Sequence, residues 1–460
     1  MADGNAGGNT ATLTCYGGTG SVTGANFMLD AGSIRILIDC GMEQGVHHGD
    51  DPNAAPFRYD PASADVLFIT HGHIDHIGRV PKLVHDGYRG PIYSTPATKE
   101  IAALMFDDAL HVMREEEQKY HRPMLYQRAD ADAALAQWQT LEYHEPLALE
   151  HGITATLYDA GHVLGSAMVC LERDGRRAVF TGDLGNTDAP LLRATDPLPA
   201  PHYLLMESVY GDRLHEGKDD RRQVLKAAIE EARQKHGVLM IPAFSLQRTQ
   251  VILYEIHRMI EAGELAPIDT YLDSPLAIRL MEVYSRYGRY FNDAAQADAK
   301  KGDIFSFPGL SVVERREESA KIEHQPDPKI IIAASGMSHG GRILGHEREL
   351  LGRADAILLL VGYQAAGTLG RALEEGVKHV HIEGHKVHVR ASIESLTGYS
   401  GHGDRDELMH VVETGASTLE RVFVAMGEPK SAMFLAQRIH DFLGLDAVAP
   451  SEGDSFTLAW

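Results

Sequence analysis

Short apolar runs separated by glycine open the chain. Thr12–Tyr16, Ala25–Leu29 and Ile34–Asp39 read as strands, with Gly17, Gly18, Gly20, Gly24 and Gly32 in the turns between them. Val66–Thr70 is a continuous apolar run, the mark of a strand buried on both faces. Thr98–Tyr120 and Ala129–Trp138 repeat with helical period, and Ile153–Tyr158, Ser166–Leu171, Ala178–Thr181 and Tyr203–Met206 return to strand patterning. Residues 1–207 are therefore expected to form a β-rich α/β unit. From about residue 208 helices alternate with strands: Asp220–His236, Val238–Ile241, Leu246–Glu261, Thr270–Leu272, Ser274–Tyr287, Lys329–Ala333, Gly341–Leu351 and Ala356–Val361. That alternation predicts a parallel sheet wrapped by helices, in a second domain over 208–390. Gly403–Thr414 (helix), Arg421–Met426 (strand) and Ser431–Leu443 (helix) follow, within a last segment of 391–460. No internal repeat or low-complexity tract interrupts the pattern.

The length of 460 residues agrees with two or three domains, and 44% apolar residues suffice for large cores. No run approaches the roughly 18 apolar residues of a membrane span, so no membrane association is expected. The N-terminus, MADGNAGGNT, has neither basic residues nor an apolar stretch; it reads as a short flexible lead-in rather than a signal peptide. Cys15, Cys40 and Cys170 lack zinc-site spacing and are odd in number, which favours free buried thiols and a cytoplasmic location. With 43 Lys and Arg against 65 Asp and Glu, the formal charge is −22. This balance argues against non-specific nucleic-acid binding, which needs a basic surface to displace counterions. It leaves room for an enzyme that grips a few phosphates locally.

The 25 histidines change the picture most. His71, His73, Asp75 and His76 occupy one short loop at the C-terminal end of the Val66–Thr70 strand. Histidines two apart can hold one metal, and an Asp and a His just beyond can hold another. Zinc accepts neutral imidazole and carboxylate at about 2.0–2.2 Å and leaves a position for water in catalytic sites. His162, in a Gly-flanked turn, and Asp183, just past a strand, fit the same site, with Asp183 suited to bridge two metals. Asp39 ends a strand and is expected to orient ligands rather than to bind metal itself.

The order Asp39, His71-x-His73-x-Asp75-His76, His162, Asp183 resembles the metallo-β-lactamase superfamily. Glu207-Ser208-Val209-Tyr210-Gly211-Asp212-Arg213, Ile241-Pro242-Ala243-Phe244-Ser245, Ser335-Gly336-Met337 with Gly340-Gly341-Arg342, and Gly398-Tyr399-Ser400-Gly401-His402-Gly403-Asp404 are similar to its β-CASP branch. That branch includes the endonuclease subunit of cleavage and polyadenylation specificity factor and related bacterial and archaeal RNases. The match covers almost the whole chain after residue 10; the amino-terminal KH-type extension of some archaeal relatives is not seen. The resemblance implies an α/β fold: a metallo-β-lactamase αββα sandwich built from 1–207 and 391–460, with a β-CASP α/β domain inserted over 208–390 to cap the metals. It also implies two Zn2+ ions, a single-stranded RNA substrate and, by family analogy, a homodimer.

By the same resemblance Glu207 and His402 form the acidic and histidine motifs of the branch. A carboxylate on a histidine favours its protonated form, so His402, held by Glu207, is expected to protonate the leaving oxygen. Backbone N–H groups at Ser335-Gly336 and Ser400-Gly401 are candidates for phosphate binding, though such turns are equally common without a ligand. Arg248, Arg342, Arg371 and Lys386 are the candidate cations around the substrate. One position departs from the pattern: Met426 stands where RNA-processing members carry a metal-ligating histidine. A thioether is a poor partner for zinc beside hard carboxylates, so a weaker second metal is expected. The expected reaction is metal-assisted phosphodiester hydrolysis with Asp75, Glu207 and His402 as catalytic residues, endonucleolytic or 5′-to-3′ exonucleolytic. Met426 keeps open a DNA nuclease, which generally carries an apolar residue there. A non-catalytic processing-complex subunit is the reading from a different class; such subunits have lost metal ligands, and this chain keeps them. A small-molecule hydrolase would leave the β-CASP motifs unexplained.

Overall fold

The computed structural model describes residues 10–45, 51–215, 220–365 and 367–460. The lead-in expected at the N-terminus lies outside the described residues, except that Thr10 opens the first strand. The chain divides into two compact units. One comprises 1–187, 194–214 and 402–460; the other comprises 188–193 and 215–401.

The first unit is a sandwich of two seven-stranded sheets. One sheet runs in the order Ser455–Ala459, Thr10–Gly17, Asn26–Asp30, Arg35–Ile38, Val66–Phe68, Ile92–Ser94, Trp138–Thr140. The other runs Asp446–Val448, Arg421–Val424, Tyr203–Met206, Arg176–Phe180, Ala167–Arg173, Ile153–Asp159, Leu147–Ala148. Leu13, Phe27, Leu29, Ile36 and Phe68 from the first sheet meet Leu157, Val169, Leu171, Phe180 and Phe423 from the second in one buried cluster. The alternation in Thr10–Gly17 is the simplest case: Ala11, Leu13 and Cys15 are buried and Thr12 and Thr14 point away. Burial of an aliphatic side chain of this size stabilises by roughly 1.5–3 kcal/mol, which sets the register.

Each sheet needs a cover on its outer face. Leu37, Leu67 and Ile69 pack under Phe106 and Leu110 of helix Pro96–Tyr120 and Ala131 of helix Arg128–Gln137. Leu204, Met206, Val422 and Val424 pack under Leu408 and Val412 of helix Arg405–Gly415 and Leu435 and Ile439 of helix Pro429–Leu443. The layers are thus helix, sheet, sheet, helix.

Two of the differences from the sequence pattern lie at the edges of the first sheet. Trp138 does not end a helix; it starts an edge strand, where its indole N–H donates to Ser94 Oγ at 2.8 Å. Ser455–Ala459, too short to signal itself, adds an edge strand antiparallel to Thr10–Gly17.

The second unit carries a six-stranded, all-parallel sheet in the order Leu310–Val312, Asp269–Asp273, Lys329–Ala333, Val238–Pro242, Ala356–Leu360, Ser392–Ser395. Ile330, Ile331 and Ile332 are completely buried, as a strand covered on both faces requires. Helices Arg221–Gln234, Arg248–Glu261, Pro275–Arg286 and Ile343–Leu350 connect the strands. A hairpin, His379–Ile382 with His385–His388, and the strands Leu310–Val312 and Ser392–Ser395 are elements here that the pattern did not foretell.

Candidate metal centre

Strand ends make the site. Val66–Phe68, Ile153–Asp159, Arg176–Phe180 and Tyr203–Met206 deliver His71, His162, Asp183 and Glu207 just beyond their C-terminal residues. His73 caps the four-residue helix Ile74–Ile77, which carries Asp75 and His76. Close backbone approach permits the convergence. A Cβ on Gly182 (φ 55°) would stand 2.6 Å from Thr70 Cβ, and one on Gly41 would stand 1.5 Å from the Asp75 carbonyl oxygen. Both positions therefore exclude every residue with a side chain.

Four ligand-type side chains, His71, His73, His162 and Asp183, place donor atoms within 4.8 Å of one another. His73 Nδ1 lies 3.0 Å from His71 Nε2 and 3.3 Å from His162 Nε2. Asp183 Oδ2 is 3.5 Å from both His71 Nε2 and His162 Nε2. The other Asp183 oxygen, Oδ1, faces His76 Nε2 at 3.3 Å. Asp183 is thus shared between two sides of the cluster. Asp75 lies close enough to feel His76, Asp183 and His402, and burial pushes its carboxyl up to about 6.

Asp39 organises the imidazoles from behind. It follows strand Arg35–Ile38 at φ 59°, a conformation that Asp tolerates. Oδ1 accepts the Thr70 N–H at 2.8 Å; Oδ2 accepts the Thr70 hydroxyl at 2.8 Å and His76 Nδ1–H at 2.7 Å. With its proton given to Asp39, the Thr70 oxygen is left to accept from His71 Nδ1–H at 3.1 Å. Both rings then turn Nε2 toward Asp183. Thr70 had no signal in the sequence beyond being a polar residue at the end of an apolar run.

The donor set fits divalent cations on physical grounds. His76 Nε2 and Asp183 Oδ1 are buried and complete no hydrogen bond of acceptable geometry among the described residues. Burial holds the His71 ring well below its ordinary pKa, which keeps a lone pair available. Burial acts the same way on His76, but the flanking Asp183 and Asp39 outweigh it and raise this ring well above the usual value. That added proton sits where a cation shared by His76 and Asp183 would replace it. Burial likewise raises the Asp183 carboxyl, yet His76 and His71 hold it well below the carboxylate range.

Glu207 and His402 lie beside this cluster. Their ligand-type atoms and those of Asp183 fall within 4.8 Å of one another. His402 Nδ1 is 3.1 Å from Glu207 Oε1 and 3.9 Å from Asp183 Oδ2. Glu207 also accepts N–H groups from Leu184 at 2.7 Å and Val209 at 3.2 Å, contacts that favour the carboxylate. Burial raises Glu207, and would lower His402; the Glu207 charge outweighs it and lifts His402 to about 9. The pair is therefore best described as a carboxylate holding an imidazolium.

Met426 follows strand Arg421–Val424 at φ 43°, its carbonyl accepting the Ser208 N–H at 3.1 Å. Its side chain is 2% exposed and joins the apolar core of the sandwich, the sulfur lying against Gly18. Ser335 and Gly336 belong to the second unit. There the Ser335 hydroxyl oxygen accepts the N–H groups of His339 and Gly340 at 3.2 and 3.3 Å, so that oxygen already has partners in its own loop. Ser400 and Gly401 close the second unit, directly before His402 in the chain. Among the candidate cations, Arg342 binds Asp273 and the carbonyls of Val313 and Glu314, and Arg371 pairs with Glu375.

An imidazole and carboxylate centre at the strand ends of a helix–sheet–sheet–helix sandwich defines a metallo-hydrolase. Residues 28–200 match the metallo-β-lactamase superfamily domain, 249–373 the Beta-Casp domain, and 386–450 the Zn-dependent metallo-hydrolase RNA specificity domain. The chain is 37% identical to ribonuclease TTHA0252 of Thermus thermophilus over 423 residues, covering 92% of this chain and 94% of that protein. An RNase J-like protein of Methanocaldococcus jannaschii is 30% identical, with coverage of 91% and 93%. Transcription termination factor FttA of Methanosarcina mazei is 30% identical across 95% of this chain and 70% of its own length. A solved structure of a protein of unknown function from Enterococcus faecalis shares the fold, with a TM-score of 0.55 at 12% identity over 98% of this chain and 100% of that one. The chain belongs to the β-CASP family of the metallo-β-lactamase superfamily. No helix among the described residues is long and apolar enough to cross a membrane.

Proposed function

We propose that this protein is a zinc-dependent ribonuclease that hydrolyses phosphodiester bonds of single-stranded RNA. The observation that carries the reading is Asp183, which faces three imidazoles on one oxygen or the other and the His402–Glu207 pair on its flank. His71, His73 and His162 with Asp183 would hold one cation; Asp75 and His76 with Asp183 would hold the second. When bound, the cations supply Lewis acidity that makes water a nucleophile near neutral pH and neutralises phosphate charge. Asp39 and Thr70 keep the ligand rings in the tautomer that leaves Nε2 unprotonated. Glu207 keeps a proton on His402, and the second nitrogen of that ring delivers a proton to the departing oxygen. Ser335 with Gly336, and Ser400 with Gly401, would hold substrate phosphates through backbone N–H groups. The RNA specificity domain and the ribonuclease relatives support RNA as the substrate. Three buried free cysteines agree with a reducing cytoplasm.

The test is cleavage of 5′-labelled single-stranded RNA and matched DNA by zinc-loaded protein, with Asp75→Ala as the blank. RNA cleavage absent in the blank is expected. Cleavage of DNA alone would move the protein to the DNA-directed reading, which the apolar setting of Met426 favours. Near-normal cleavage by Asp75→Ala would overturn the ligand assignment.

A further inference from the structure

The hairpin of the second unit carries four histidines in ten residues, His379, His381, His385 and His388. Its register is set by Glu383 (φ 49°) and Gly384 (φ 82°), two successive residues of positive φ that make the tight reversal antiparallel strands prefer. His379 is thereby placed opposite His388, Val380 opposite Val387 and His381 opposite Lys386. Val380, Ile382, Val387 and Val389 are buried in the core of the unit, so the hairpin is anchored from one side. The opposite face presents His379, His381 and His388, all exposed, and none of them contributes to the core.

The His379 and His388 rings have centroids 4.7 Å apart. The pairs His71–His73, His71–His162 and His73–His162 in the metal centre lie at 4.9, 5.1 and 5.1 Å. The hairpin rings are tilted by 35°, so a rotation about the exposed side-chain bonds is needed to aim both nitrogens at one point. His388 Nδ1–H donates to the Lys378 carbonyl at 3.2 Å, which leaves the lone pair on Nε2. A backbone carbonyl on the far nitrogen is how metal-binding imidazoles are commonly oriented. Glu383 is engaged by Arg348 at 2.6 Å, so the donors on this face are nitrogens rather than oxygens.

We propose that His379 and His388 form a two-imidazole surface chelate for a borderline divalent transition cation. Imidazole donors suit copper(II), nickel(II) and zinc, and exclude the oxygen-seeking magnesium and calcium. The site is independent of the catalytic reading: its ligands, anchoring and tautomer all lie within the hairpin.

The probe is copper(II), added to zinc-loaded protein freed of excess metal. Copper uptake and zinc release are followed together by elemental analysis, and the copper spectrum by electron paramagnetic resonance. Wild type is expected to take up one further equivalent without releasing zinc, with hyperfine coupling to imidazole nitrogens. The double variant His379→Ala/His388→Ala should lose that equivalent while keeping its zinc and its thermal unfolding curve. Uptake unchanged in the double variant, copper bound only in exchange for released zinc, or no uptake by wild type would each overturn the assignment.

Discussion

Replacing Asp39 by asparagine tests whether a residue outside the proposed ligand set controls metal binding. The substitution preserves volume and the φ of 59°, since Asn also tolerates that region. It removes the ability to accept on both oxygens. The native carboxylate takes three donors, Thr70 N–H, Thr70 O–H and His76 Nδ1–H, at 2.7–2.8 Å. An amide offers one oxygen. Turned toward Thr70 N–H, it points its own N–H2 at His76 Nδ1; turned the other way, it opposes the Thr70 N–H. A buried donor left unpaired costs about 1–3 kcal/mol. His76 escapes that cost by moving its proton to Nε2, where it blocks the lone pair that faces Asp183. Loss of such an orienting partner typically weakens metal binding about 10–100-fold, or roughly 1.4–2.7 kcal/mol. The assay is competition for zinc against a chromophoric chelator, comparing wild type with Asp39→Asn, with circular dichroism to show that both are folded. Superimposable competition curves would refute the tautomer argument, whatever happened to activity.

Other consequences follow from groups with equally definite surroundings. Glu207→Gln removes the charge that lifts His402 to about 9; a general acid works only while protonated, so activity falls as pH rises through its pKa. The alkaline limb of the pH–rate profile should therefore move down toward the ordinary 6.5 in the variant. Bound cations lower both limbs without reversing their order, and coincident limbs would sink the pairing. Met426→His should raise the zinc content per chain, at a cost of roughly 1–3 kcal/mol in metal-free stability for placing a polar ring in that core. Full occupancy of two zinc ions in the wild type would show that Met426 weakens nothing. In the second unit, burial lifts Glu347 from 4.5 to about 8, with Ser338 O–H as a hydrogen-bond donor to it. Between those values the unfolded chain has lost the proton and the folded one keeps it, so stability falls as pH rises, by about 1.4 kcal/mol for each unit. Glu347→Gln should flatten that decline in thermal denaturation between pH 5 and 8; parallel curves for the two proteins would refute the assignment.

The candidate ligand cluster was legible in the sequence because chemistry of this kind concentrates at strand ends. An apolar run such as Val66–Phe68 names its own end, and four ligand-type residues follow it within eight positions of Phe68. His162 and Asp183 were legible for the same reason, each beyond a strand and flanked by glycine. What a one-dimensional pattern cannot contain is pairing across distance. Glu207 and His402 are 195 residues apart, and only family resemblance joined them before the 3.1 Å contact did. Thr70 escaped notice because its role depends on Asp39, 31 residues earlier, being folded back against it. Gly182 went unremarked in the sequence, whereas its lack of a side chain is what lets the strand ending at Phe180 approach Thr70. The same limit explains Met426. Its place in the motif marked it as a missing ligand, but nothing in the motif said where the thioether would go. The fold resolves this by turning the side chain into the apolar core against Gly18. A methionine in that pocket is satisfied by packing and needs no polar partner. On the proposed assignment a second cation would rest on Asp75, His76 and Asp183, and Asp39 would orient the His76 ring through its 2.7 Å contact.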